Sequence, residues 1–277
     1  MDNTIKILPG HYNKSRLNSF RKFDFSLNHS SVFLNNAKEA IHIIMKNEGL
    51  KRTDEVMIST TSDSNFVSSC VTSTIFNYAK ISRVITDKTR LIFVIHEFGF
   101  PNKKIKQLYQ ISKQRNIVLV EDSAHSFHSI LNYETNSFFG KYLIHSLPKS
   151  IPITNGGVLR FKQKKIKIKE NKEIKASFKL FSPYLEEIRI KKRQHFLFFA
   201  DQFKEFEHIY KLNQETAPFA FGFITKKYLE IYQCLENEKN IELLRTYNKE
   251  WVVIPINAMH SDYEINLIAK SIKSVLK

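Results

Sequence analysis

The sequence predicts an α/β protein with a mostly parallel central sheet flanked by helices, followed by a smaller α+β C-terminal domain. Three observations carry that expectation. The short unbroken apolar runs RLIFVI (90–95) and IVLV (117–120) suit strands buried on both faces of a parallel sheet. Between them, Asn102 to Arg115 has helical spacing, with Ile105, Leu108, Tyr109 and Ile111 inward. Strand, helix and strand joined by short connections imply parallel strands and right-handed crossovers. Beyond Phe161 the pattern becomes charged and helical before two further strand-like runs. That change divides the chain into a large domain at 1–175 and a small one at 176–277.

The elements follow in order. Residues 1–33 carry no clear period and read as an irregular or short-stranded arm. Asn35 to Asn47 places Ala37, Ala40, Ile41, Ile44 and Met45 on one helical face, and Gly49 is a helix stop. Glu55 to Ser59 is a short strand and TTSDSN (60–65) a polar turn. A helix from about Phe66 to Tyr78 follows, with Asn65 or Ser64 as its cap, then a brief strand at Ile81 to Ile85.

Seven lysines fall among the 14 residues from Lys162 to Lys175. Charge runs are usually solvated, so a linker or surface helix is expected there. A long helix is expected from about Tyr184 to Tyr210, strands at Phe219–Ile224 and Trp251–Ile256, and helices at Lys226–Glu236 and Asp262–Val275.

Composition narrows the function. A net charge of +16 invites a nucleic-acid reading, but the lysines are dispersed and no binding motif accompanies them, so nucleic acid is not the expected partner. Only 7 glycines argue against a chain built on glycine-rich phosphate loops. Cys70 and Cys234 are too few and too distant for a disulfide framework or a metal knuckle, so no metal site is expected. No charged-then-apolar leader opens the chain, and no apolar run reaches the ~18 residues needed to span a bilayer. A cytoplasmic protein is the expectation.

The chemistry concentrates between Ile117 and Phe161. Ligands of open α/β sheets gather at the carboxyl ends of the strands. Asp122 closes one buried run, and Lys149 follows another, between Pro148 and the pair Gly156-Gly157. Taken alone, Asp122 equally fits a carboxylate that caps the following turn, and one lysine among so many is unremarkable. Together they match a specific demand. A lysine in an apolar pocket has a depressed pKa and forms a Schiff base with an aldehyde cofactor. An aspartate at that cofactor's pyridine nitrogen keeps it protonated.

Three segments, in order, resemble the DegT/DnrJ-type sugar aminotransferase family. They are RLIFVIHEFGFP (90–101), IVLVEDSAHS (117–126) and HSLPKSIPITNGGVLRF (145–161), with a looser match across 34–59. The resemblance implies the fold type I architecture of enzymes dependent on pyridoxal 5'-phosphate. It makes Lys149 the Schiff-base lysine and Asp122 the pyridinium partner. His125 stands where the family has Gln at the cofactor's phenolic oxygen, although a purely structural histidine fits there too. The resemblance puts Ser146 at the cofactor phosphate, and Phe66 or a neighbour near the ring face. His96 ends a strand near the same face and is as readily structural.

The resemblance also implies an amino-acid donor, a nucleotide-sugar acceptor in glycan or secondary-metabolite sugar biosynthesis, and a homodimer. Asn35-Asn36 replaces the family's glycine-containing phosphate turn, and its Asn-x-Arg stretch has no equivalent before Arg193. The alternative implied by those departures is a catalytically reduced homologue acting as a binding or structural partner.

Overall fold

The computed structural model describes residues 19–22, 30–64, 67–125, 127–130, 138–162, 168–214, 216–238, 241, 243, 244, 246, 248 and 250–277. Among these, seven strands form the main sheet: β1 (Ser31–Leu34), β2 (Glu55–Thr60), β3 (Lys80–Ser82), β4 (Thr89–Ile95), β5 (Val118–Asp122), β6 (Tyr142–Ser146) and β7 (Gly157–Phe161). Their spatial order is β1-β7-β6-β5-β4-β2-β3. Strands β2 to β6 pair in parallel, and β7 alone runs against its neighbours β6 and β1. The mostly parallel sheet is as expected.

Both faces are covered, which is why the strands read as unbroken apolar runs. Leu91 and Phe93 of β4 join a core with helices α1 (Ala37–Asn47) and α2 (Ser69–Phe76). Ile92 and Val94, one step along the pleat, pack instead with Ile105 and Leu108 of α3 (Ile105–Gln114). A short α4 (Phe127–Ile130) follows β5. Helix α5 (Lys172–Phe181) lays Ile174 and Phe178 against Phe33, Leu147 and Val158, so the lysine-rich run ends in a docked helix capped by Asn171. The remainder of that run, 163–167, lies outside the described residues.

Helix α6 (Leu185–Gln202) leads into an antiparallel pair, β8 (Ala220–Ile224) and β9 (Trp251–Pro255), covered by α7 (Tyr228–Gln233) and α8 (Asp262–Leu276). Phe199, Phe203, Phe221, Ile254 and Ile268 form its core. Several element ends differ from expectation: the strand expected through Ile85 stops at Ser82, the helix expected at Lys226–Glu236 spans Tyr228–Gln233, and two larger helices differ at one end. The helix expected through Tyr210 stops at Gln202, because Phe203 turns into this core and His208 bridges to Phe223. The helix expected from Phe66 begins at Ser69 with Ser68 at its N-cap. Ser64 is not a cap, since its carbonyl accepts from Thr60 within the preceding turn.

The two sheets meet at Gly99. Its φ of +93° is in the left-handed region, and a Cβ there would sit 2.5 Å from both the Ala217 carbonyl oxygen and the Phe219 nitrogen. Gly99→Ala is therefore expected to lower stability by about 2–3 kcal/mol, because the obstructing atoms are backbone of residues 217–219 and the φ is left-handed. Urea denaturation checks this, with an unchanged midpoint as the contrary result.

Candidate active site

The register of the parallel strands brings their carboxyl ends together. Ile95 pairs with Asp122, and Asp122 with Ile144, so His96, Asp122 and Ser146 emerge along one edge of the sheet. A single-turn 3-10 segment, Leu147–Lys149, opened by Pro148, then carries Lys149 back over that edge. The Leu147 amide donates to the Gly156 carbonyl and anchors this turn. Gly157 lies flush against the start of α1, where a Cβ would come within 2.5 Å of the Asn36 carbonyl carbon. That close approach sets the helix N-terminus at the edge of the site.

A cavity of about 480 Å³ occupies the space enclosed. Asp122, His125, Ser146 and Lys149 all line it, together with His96 and Asn36. The four residues singled out from sequence thus share one pocket. Phe66 lies outside the described residues.

The Lys149 amine lies 2.9 Å from His125 Nε2. The Phe98 amide donates to His125 Nδ1 (3.4 Å), which puts the ring proton on Nε2. That N–H can donate to the Lys149 amine when the amine is uncharged. Burial lowers the Lys149 pKa, opposed by the charges of Asp122 and then Cys70. Burial pushes His125 well below its ordinary value, reinforced by Lys149 and then Lys192. The His125 ring also stacks on Phe219, centroids 4.4 Å apart and nearly parallel.

Asp122 accepts from the Ala124 amide at 2.9 Å. Burial raises its pKa, while that amide, Lys149 and His96 pull it down. A cation placed in the cavity would favour its ionised form further. His96 is tied on both sides: Nδ1 accepts from the Asn102 amide (2.9 Å), and Nε2–H donates to Glu121 (3.1 Å). Its ring lines the pocket, yet both nitrogens are engaged in holding strand ends together.

Of three further features, a cap at Asn35-Asn36 was open to the sequence, and the places of Lys38 and Phe98 in the pocket were not. Asn36 keeps the helix N-terminus capped, its side chain accepting from the Glu39 amide at 2.9 Å, although the family's glycine is absent. Lys38, in the first turn of α1, lines the same pocket. Phe98 lines it as well, in a left-handed conformation (φ 51°) that bulky residues seldom adopt. The strain is held by the Phe98 carbonyl accepting from the Phe219 amide at 2.7 Å. Lysines are so frequent in this chain that Lys38 carried no signal of its own.

The donor set fits pyridoxal phosphate. An amine whose pKa burial lowers, a buried carboxylate, a hydroxyl, and the N-terminus of an eleven-residue helix with its positive dipole end surround a pocket of ligand size. Among the described residues there is no metal-binding cluster, and no helix is long and apolar enough to cross a membrane.

Known proteins agree with this architecture. The aminotransferase TlmJ from Streptoalloteichus hindustanus superposes with a TM-score of 0.78 at 12% identity, over 99% of each chain. NtdA from Bacillus subtilis, solved with bound cofactor PMP, superposes at 0.75 and 12% identity, over 100% of this chain and 86% of its own. GDP-perosamine synthase from Escherichia coli O157:H7 is 26% identical over 148 residues, 46% of this chain and 40% of that protein's length. Residues 18–171, more than half of the 277, match the DegT/DnrJ/EryC1/StrS aminotransferase family, whose members depend on pyridoxal phosphate, and the chain belongs to that family.

Proposed function

We propose that this protein is an aminotransferase that moves an amino group from an amino acid to a keto-sugar nucleotide. The observation that carries the reading is the sharing of one pocket by Lys149, Asp122, His125 and Ser146, with the Lys149 amine 2.9 Å from His125 Nε2. When bound, pyridoxal phosphate supplies an electron sink for carbanion chemistry. Lys149 acts through Nζ, first as a nucleophile and then as the carrier of the donor's α-proton. Asp122 would hold a proton at the ring nitrogen, and the His125 Nε2–H would face the phenolic oxygen. Ser146, Lys38 and the α1 N-terminus would hold the phosphate. The reading also includes a homodimer, a division between large and small domains near residue 175, and a cytoplasmic location. No observation favours the catalytically reduced alternative.

Incubating the purified protein with pyridoxal phosphate, trapping with borohydride and mapping the labelled peptide tests the core of the reading. Label at Lys149 and conversion by an amino donor are expected. A colourless, unlabelled protein would refute it. Lys38→Ala is expected to raise the cofactor's Kd about tenfold, the worth of one charge-assisted phosphate contact. Spectral titration checks this, and an unchanged Kd removes Lys38 from the phosphate site.

A further inference from the structure

Helix α6 carries its apolar face at Leu185, Ile188, Phe196 and Phe199, and Lys192 falls in that same face. It is 2% exposed. Among the described residues no carboxylate pairs with it, and burial draws its pKa down to about 7. An ammonium in such a place is costly unless its surroundings use it.

The surroundings are the back wall of the active site. Lys192 Nζ donates to the main-chain carbonyl of Lys149 at 3.3 Å and lies 5.6 Å from the centre of the Phe219 ring. Phe219 stacks on His125, and His125 meets the Lys149 amine. The four residues close a ring in which Lys192 touches both the backbone and, through Phe219, the side-chain partner of Lys149.

We propose that Lys192 is a positioning residue for Lys149: it clamps the Lys149 main chain from behind and, through Phe219, sets the His125 ring that faces the Lys149 amine. The Lys192 charge opposes protonation of His125 and so adds to the effect of burial. The other groups bearing on this ring are Asp122 at the end of β5 and Cys70 on α2. The inference rests on Lys149 being the reactive amine.

The test uses Lys192→Met, which keeps length and removes charge, and Lys192→Arg, which keeps charge. In the cofactor-free protein, the His125 midpoint is read by NMR with carbon-labelled histidine. In the Met variant it is expected to rise by about one pH unit, because removing a nearby positive charge stabilises the imidazolium. The Arg variant is expected to return it toward the wild-type value. With cofactor, the Met variant is expected to lose about tenfold in kcat with KM unchanged, as for an interaction serving only the chemical step. A folded Met variant with wild-type midpoint and wild-type kcat overturns the proposal and leaves Lys192 a packing residue. A wild-type protein that is not labelled at Lys149 sinks the functional reading instead, and the His125 midpoint then decides the Lys192 contact on its own.

Discussion

Lys149→Ala is expected to abolish borohydride trapping of pyridoxal phosphate and to lower the transamination rate by about 10⁴-fold, since one group supplies both the nucleophile and the proton carrier. The loss should fall on kcat. The Lys149 side chain opens onto the cavity, and its anchor in the fold is the backbone turn Leu147–Lys149, which alanine can retain. The variant should therefore melt within a few degrees of the wild type. A Lys149→Ala protein that still trapped cofactor at another lysine would move the reaction elsewhere in the pocket. Lys38 would be the first position to map, because it lines the same cavity.

Asp122→Asn should be nearly as damaging, by about 10²–10³-fold in kcat, as for loss of one preorganised electrostatic contact at a reacting centre. Asparagine can still accept from the Ala124 amide, so the turn after β5 survives and the buried charge is gone. The pH behaviour separates a loss of charge from a loss of shape. The carboxylate of Asp122 raises the Lys149 pKa against the stronger lowering by burial. Without it, Lys149 should deprotonate at lower pH still. The reductive methylation of Lys149 in the cofactor-free protein should then reach half its maximum rate at a more acid pH than in the wild type. A midpoint that stays put or moves upward would show that Asp122 does not face Lys149 electrostatically.

Much of this site is visible in the chain because its chemistry sits at strand ends, where local pattern is strongest. IVLV followed by Glu121-Asp122 marks a buried strand with a carboxylate at its tip, and Pro148-Lys149 before Gly156-Gly157 marks a turn between strands. Lys192 was passed over although the signal was present. With Leu185, Ile188, Phe196 and Phe199 it keeps one helical face, and a lysine in register with core residues is a buried lysine. The expected Asn35-Asn36 defect was judged by residue type, whereas the helix end persists through the Asn36 cap and through the room that Gly157 leaves for it.

By itself, then, the sequence indicated most of the strands and helices and proposed Asp122 and Lys149 for the chemistry, because periodicity and turn residues act over a few positions of chain. The tertiary structure decided which of them share a pocket. Asp122 and Lys149 meet because β4, β5 and β6 stop in register. Burial lowers the Lys149 pKa, and the groups around it come from β5, the turn after it and α2. Desolvation and proximity belong to segments far apart in the chain, and no local pattern carries them.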